Sequence, residues 1–151
     1  MPHLVLLYSR NFEALTDMDR LCRKLCDAML TVHDESGAQI FPTGGTRVLA
    51  FPAAHHAVAD GARDYLFMYM NVRMAKGRSA MVHTAVGEAV AAAARAHLDP
   101  LYDTQYIGMT VQVDEGHEVF DAKLSTIHPL FQSSFQSSFQ SSLQSSIQRP
   151  T

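Results

Sequence analysis

The chain has 151 residues, a hydrophobic content of 47% and a formal net charge of -3. This length and apolar content suit one globular domain with a buried core. The absence of a basic cluster argues against a nucleic-acid partner. No apolar stretch is long enough to span a membrane, and no basic start precedes a small-residue cleavage pattern, so we expect a cytoplasmic protein without a membrane partner.

The second residue is a proline, and it precedes an apolar run at residues 4–8. Aminopeptidases normally remove a methionine before so small a residue, which would leave Pro2 with a free secondary amine. An ordinary α-amino group has a pKa of about 7.7 to 8.0, and the amine of proline is more basic. An apolar pocket and a nearby arginine would lower this pKa toward the range that suits a general base. Pro2 is therefore a candidate proton carrier, although many proteins carry a proline there without chemical use.

The first half of the chain predicts a strand, a helix and a second strand. Residues 3–8 form an apolar strand, and Thr16 or Asp17 can cap the helix that follows. Its apolar positions keep helical spacing at Met18, Leu21, Cys22, Leu25, Met29 and Val32. Cys22 and Cys26 are awkwardly placed for a disulfide and lack partners for a zinc site, so we expect them in the core. A polar loop at 33–38 and a turn at 41–45 lead to a strand at 47–51.

The same order of elements recurs in the second half. Residues 64–74 give the strongest strand signal, and Ser79 is a plausible N-cap for a long alanine-rich helix. Its apolar face includes Val82, Ala85, Val86, Ala89, Val90, Ala93, Ala94 and His97. We expect Pro100 to end the helix, and residues 106–113 to form the last strand.

Two tandem strand-helix-strand units predict an α/β fold. With right-handed crossovers, both units place their strands in one sheet and both helices on one face. Apolar residues such as Leu66, Met68, Met70 and Val72 alternate with further apolar ones. The uncovered face then needs a partner, and copies of the same chain are the simplest choice, so we predict a homo-oligomer.

The composition changes after Phe131. A folded domain is predicted over 1–131, and residues 132–151 form a low-complexity extension rich in glutamine and serine, with one apolar residue in every four. On a helix this period would give a slowly spiralling apolar stripe able to dock on a partner. Its composition favours a disordered or weakly helical segment instead.

Several motifs in order resemble the 5-carboxymethyl-2-hydroxymuconate isomerase family of the tautomerase superfamily. They are Pro2-His3, Ile40-Phe41-Pro42 through Gly45 to Arg47, Asp64-Tyr65-x-Phe67 with Met70, Gly77-Arg78-Ser79, and Ile127-His128-Pro129-Leu130-Phe131. The resemblance covers about residues 2–132. Where the family has an acidic residue after the first strand this chain has Arg10, and the loop before Ile40 is longer. The extension at 132–151 has no counterpart in the family.

The resemblance implies a homotrimer of tandem units in which the amino-terminal proline carries the proton. It implies a small carboxylate substrate, a di- or tricarboxylate dienol from aromatic-ring cleavage in homoprotocatechuate catabolism, and neither a metal nor an organic cofactor. Arg47 matches the family's catalytic arginine, and Arg78 matches another arginine at a helix start, which would bind substrate. A guanidinium can hold a carboxylate through two hydrogen bonds. An exposed arginine often does no more than form a surface ion pair, so each assignment depends on the resemblance.

Histidines and glycines elsewhere in the chain suggest other kinds of site, but their surroundings in sequence do not support them. His55-His56, with Asp60 four residues later, could place two metal ligands on one helical face, but the sequence offers no third ligand and the segment is typical of a surface connection. Gly44-Gly45 lacks the features of a phosphate loop and is interpreted as a turn.

The alternatives to an isomerase are a non-catalytic oligomeric interaction protein on this fold and a superfamily hydratase or dehalogenase. In the latter, protonated Pro2 would act as an acid.

Overall fold

A computed structural model describes residues 2–117, 119–122 and 124–132. Its four strands are β1 (His3–Ser9), β2 (Arg47–Ala53), β3 (Tyr65–Ala75) and β4 (Tyr106–Gly116), and its two α-helices are α1 (Met18–Leu30) and α2 (Ala80–Tyr102). Within the described part of the chain, no helix has the length and apolar content to cross a membrane. Apart from Gln132, the extension predicted at 132–151 lies outside the described residues.

The strands form a single sheet in the order β2-β1-β3-β4. β1 is parallel to β2, and β3 is parallel to β4, as each strand-helix-strand unit requires. The antiparallel pairing of β1 with β3 joins the two units. The predicted α/β architecture of two tandem units in one sheet is confirmed.

One face of the sheet is covered by both helices, which also pack on each other, as predicted. β1 buries Leu4 and Leu6 on this face, and β3 buries Leu66, Met68, Met70 and Val72. The helices contribute Leu21, Leu25 and Met29 from α1 and Val82, Val86, Val90, Ala94 and Leu98 from α2. Burying a side chain of this size contributes about 1.5 to 3 kcal/mol, so this layer is the main source of stability.

The other face, which we call the open face, carries the alternate residues of each strand. Four of its large apolar side chains, Leu7, Leu49, Phe51 and Phe67, are 38% to 50% exposed. Because side chains on a strand alternate between faces, the residues next to the buried ones point away from the helices. The buried residues between 66 and 72 therefore face the helices, and they do not belong to the open face that was expected to need a partner.

Two details of the helices differ from the sequence expectation. α2 continues to Tyr102, so the helix ends two residues after Pro100 rather than at it. Pro100 cannot donate to the carbonyl four residues earlier, but it lies in the last turn, where only two further residues follow the helical path. Cys22 and Cys26 are free thiols, as expected, but they are half-buried rather than in the core. The inward line of α1 is occupied by Leu21, Leu25 and Met29, which leaves both cysteines at its flank.

Candidate active site

A cleft of about 220 Å³ opens at the end of the sheet where β1 begins. Because β1 and β3 are antiparallel, the start of β1 and the end of β3 meet here. Its lining comes from five segments of the chain: Pro2, the α1–β2 connection (Ile40, Phe41, Pro42), the end of β3 (Met74, Ala75), Arg78 and His128. The cleft therefore combines segments from nearly the whole described chain.

The floor of this cleft is apolar. Ile40, Phe41 and Met74 are each no more than 5% exposed, and Pro2 beside them is half-buried. Partial burial against hydrocarbon disfavours a charged amine relative to its neutral form. The surroundings of Pro2 therefore meet the first condition for a proton acceptor that works near neutral pH.

Arg78 lies on the same cleft, in the turn just before α2. Ser79 caps that helix, its Oγ accepting a hydrogen bond from the Val82 N–H at 3.2 Å. A guanidinium beside the start of a helix makes a favourable environment for an anion, since the first N–H groups of the helix add partial positive charge. Pro2 and Arg78, which are 76 positions apart in sequence, are thus brought together.

Arg47 lies beside the cleft without lining it. In the β1–β2 register Arg47 pairs with His3, the residue after Pro2. The backbone of Arg47 is therefore about one strand spacing from the backbone at the start of β1. Its Nη1 donates a hydrogen bond to the Gly45 carbonyl at 2.9 Å. By strand alternation, Arg47 lies in the same row as Leu49 and Phe51 of the open face.

Two carboxylates stand next to Arg78, on the loop that is longer than in the resembled family. Residues 33–39 form a small hairpin in which the Asp34 N–H donates to the Ala38 carbonyl at 2.9 Å. Hydrogen bonds, first from Ser36, and the nearby charge of Arg78 hold the pKa of Asp34 below its usual value. Glu35 accepts a hydrogen bond from the Ser79 hydroxyl, which lowers the pKa of Glu35 as well. This loop therefore places negative charge at the anion-attracting side of the cleft.

Other charged candidates lie away from the cleft. Arg10 follows β1 at its far end and forms an exposed ion pair with Glu13 at 3.8 Å, so it does not reach the cleft of its own chain. His55 and His56 are exposed, and Asp60 accepts hydrogen bonds from the Ala62 N–H and the Tyr65 hydroxyl. Across residues 2–117, 119–122 and 124–132, no three His, Cys, Asp or Glu side chains are grouped to hold one metal ion.

His128 is a cleft residue to which the sequence assigned no role. It belongs to the short 3-10 turn at His128–Phe131, which packs on a second one at Thr43–Gly45. The signal for this contact was the pair Gly44-Gly45, because adjacent glycines often mark a close approach of another part of the chain.

The sheet order, the paired helices and a cleft at the amino-terminal proline define a tautomerase-superfamily fold. A crystal structure of 5-carboxymethyl-2-hydroxymuconate delta-isomerase is 53% identical to this chain, with a TM-score of 0.84, and the match covers 88% of this chain and 94% of that one. The structure of the 5-carboxymethyl-2-hydroxymuconate isomerase from Deinococcus radiodurans R1 is 26% identical, with a TM-score of 0.76, 87% coverage of this chain and 95% of that one. An asymmetric trimer of a fused 4-OT shares the fold at 16% identity, with a TM-score of 0.56, covering 85% of this chain and 97% of that one.

The family model described as 5-carboxymethyl-2-hydroxymuconate isomerase matches residues 2–131. The Escherichia coli 5-carboxymethyl-2-hydroxymuconate Delta-isomerase is 24% identical over 132 residues, which cover 87% of this chain and all of that protein. The chain therefore belongs to the 5-carboxymethyl-2-hydroxymuconate isomerase family, and it is an isomerase.

Proposed function

We propose that the chain is a cofactor-independent isomerase that moves a proton on 5-carboxymethyl-2-hydroxymuconate or a similar unsaturated hydroxy or oxo acid with two or three carboxylates. The observation that carries this proposal is the shared cleft, in which half-buried Pro2 adjoins an apolar floor and Arg78. The names of the family and of its relatives support the substrate. Such an enzyme would serve aromatic-compound catabolism, including homoprotocatechuate degradation.

The proposed reaction needs one group that accepts and returns the proton. The neutral secondary amine of Pro2 takes the proton of the dienol hydroxyl, so that the O–H bond breaks and a carbonyl forms. The resulting ammonium then gives a proton to a carbon of the conjugated chain, where a C–H bond forms. Pro2 ends the cycle neutral, and a properly placed acid-base group contributes typically 10²- to 10⁴-fold in rate.

The two arginines have different parts in this proposal. Arg78 binds a substrate carboxylate at the cleft, where its charge also disfavours protonation of Pro2. Arg47 stabilises the negative charge that develops on the conjugated oxygen. Its position in the open-face row, outside the lining of its own cleft, leads us to propose that it serves the cleft of an adjoining subunit.

The proposed assembly is a homotrimer formed through the open face. The support is the exposed apolar row of Leu7, Leu49 and Phe51, which would be costly to leave in water, and the trimer of the fused 4-OT on the same fold. Light scattering should give three times the chain mass. Leu7→Glu together with Phe51→Glu should give a monomer, and an unchanged mass would contradict the use of this face.

We also propose a cytoplasmic location, which the two free thiols fit because reducing compartments keep cysteines unpaired. In this proposal, residues 1–131 form the catalytic domain and residues 132–151 are an accessory extension.

The amine of Pro2 is tested by intact mass and ultraviolet assay. Mass spectrometry should show loss of Met1, and the purified chain should consume 5-carboxymethyl-2-hydroxymuconate faster than other ring-cleavage products. A retained methionine together with full turnover would contradict a role for the Pro2 nitrogen.

Arg47 is tested by mixing subunits. Arg47→Ala should mainly lower kcat, as expected for a group that acts in the transition state. Refolding Pro2→Ala chains together with Arg47→Ala chains should restore a measurable fraction of activity if the two residues act across subunits. Mixtures no more active than the separate variants would place both residues in one chain.

A further inference from the structure

We infer that His128 is a substrate-contacting residue of this cleft, and that its imidazole donates a hydrogen bond to a carboxylate of the bound acid. The inference rests on the proposed function of the same cleft. His128 would be a further polar group beside Pro2, Arg47 and Arg78, the three site residues that the sequence predicts. Two features of the cleft support it: the ring fits against two glycines, and Arg78 is the one other described lining residue with a donor side chain.

The ring of His128 is seated against the backbone of Gly44 and Gly45. A Cβ built on Gly45 would lie 2.8 Å from Cε1 and 3.2 Å from Nε2 of the imidazole. A Cβ on Gly44 would lie 2.9 Å from the Cα of His128 and 3.0 Å from Nδ1. Real Cβ atoms essentially never lie closer than 3.0 Å to another atom, so a side chain at either glycine would displace His128 from this place.

Hydrogen bonds between near neighbours in sequence hold the segment that carries His128. The His128 N–H donates to Ser125 Oγ at 3.2 Å, and the Leu130 N–H donates to the Ile127 carbonyl at 3.1 Å. Phe131 packs on Gly44 from the same turn. The imidazole is therefore presented by a fixed backbone rather than by a loose terminal segment.

The cleft offers a bound dicarboxylate few donors. Its floor is hydrocarbon, and Arg78 is the charged side chain of its lining. In residues 2–117, 119–122 and 124–132, the hydrogen bonds found for His128 involve its backbone, and none uses a ring nitrogen. An imidazole always carries at least one N–H. His128 can therefore bind one carboxylate while Arg78 binds another.

The test compares two substitutions of His128 with a change that displaces its ring. His128→Phe keeps the ring volume and removes the N–H, while His128→Gln keeps a donor of similar reach. Gly45→Ala would push the imidazole away without altering it. Gly87→Ala is the matched control, because its Cβ would meet only Val113, at an ordinary 3.6 Å. His55→Phe, at an exposed histidine of the β2–β3 connection, is the control for the aromatic substitution.

Two measurements keep the inference separate from the proposed reaction. One is the affinity for cis,cis-muconate, an unsaturated dicarboxylate without a hydroxyl to tautomerise, by titration calorimetry. The other is steady-state kinetics with the hydroxymuconate substrate, which separates an effect on KM from an effect on kcat. His128→Phe should weaken muconate binding and raise KM by about 10- to 100-fold with a smaller effect on kcat, as for a lost hydrogen bond to a charged group. Gly45→Ala should act in the same direction, and His128→Gln should recover most of the loss.

The outcomes are distinguishable. Muconate binding by the unsubstituted chain without any turnover would end the proposed reaction and leave the role of His128 in binding to stand. Unchanged affinity in folded His128→Phe, or no muconate binding by the unsubstituted chain, would overturn the inference. If His128→Phe does not fold, equal affinities of Gly45→Ala and Gly87→Ala would overturn it.

Discussion

The two ends of the sheet differ, although the chain builds both from the same kind of unit. Pro2 precedes β1 at one end, and Asp64 occupies the equivalent place before β3 at the other. Both residues line a cleft, but Pro2 adjoins a buried apolar floor, whereas Asp64 accepts a hydrogen bond from Asn11 Nδ2 at 2.6 Å.

The polar side chains around Asp64 bind one another. Arg63 Nη1 donates to the Tyr106 hydroxyl at 2.7 Å, and Arg63 Cζ lies 5.0 Å from the centroid of the Tyr106 ring. The Tyr65 hydroxyl donates to Asp60 at 2.9 Å. The same fold therefore gives its two ends different surfaces. The segments at the Pro2 end bring hydrocarbon and a cation, whereas those at the Asp64 end bring polar groups that pair with one another.

Pro2→Ala should give the largest effect and tests this comparison most directly. We expect turnover to fall by about 10²- to 10⁴-fold, because the proline amine is the proposed proton carrier, while the oligomer stays intact. The measurement is steady-state kinetics together with light scattering. Asp64→Ala is the matched change at the other end, and it should leave turnover unaltered while lowering the melting temperature. Equal turnover in Pro2→Ala and the unsubstituted chain would show that the secondary amine of proline is not required.

Arg78→Ala should rank next. Loss of a charged partner for a carboxylate should raise KM by about 10- to 100-fold, with a smaller change in kcat. Arg63→Ala at the opposite end removes an arginine from a tyrosine contact and should leave KM unchanged. Similar KM values in Arg78→Ala and the unsubstituted chain would remove Arg78 from the binding site.

Glu35→Gln, also at the Pro2 end of the sheet, should have a smaller effect on KM. The Glu35 carboxylate holds the Ser79 hydroxyl at the anion-attracting start of α2, so neutralising it should lower KM for an anionic substrate. The gain should be up to about fivefold, since exposed charges interact weakly, and it should shrink in high salt. Glu88→Gln, further along α2, is the control for the loss of one charge. A KM that rises, or that changes equally in both variants, would speak against this competition.

The smallest effect concerns stability at the end away from the cleft. There His97 Nε2 lies 2.9 Å from Thr16 Oγ1, and burial foremost, then the charge of Lys24, keeps the pKa of His97 below its usual value. The unfolded chain therefore binds a proton more readily, and stability should fall as the pH drops below about 6.5, without change at higher pH. Melting temperatures against pH should show a shallower acid decline for His97→Gln than for the unsubstituted chain. Parallel curves would show that His97 does not contribute.

The sequence predicted the strands and helices more accurately than it predicted which residues contact one another. Hydrophobic periodicity located the four strands and two α-helices of the described residues, because local spacing reflects which side of an element is buried. Cys22 and Cys26 were placed too deep, since a helical stripe of apolar residues is wider than the line that finally faces the sheet.

The cleft was only partly predictable. Residue type and the family resemblance predicted Pro2 and Arg78 as site residues. That both line one cleft depends on the antiparallel pairing of β1 with β3, which a tandem repeat of strand-helix-strand units does not specify. His128 was missed because its contact with Gly45 spans 83 positions and depends on two short turns packing together. Neither turn has a periodic residue pattern that would predict this contact.

The cleft takes one wall from residue 2 and another from residue 128. During synthesis β1 is made long before the turn at His128–Phe131, so the growing chain presents Pro2 without the wall that completes the cleft. The complete cleft can form only after residue 128 has been added. Chains truncated before Ile127 should therefore bind the proposed substrate more weakly even when the sheet has assembled.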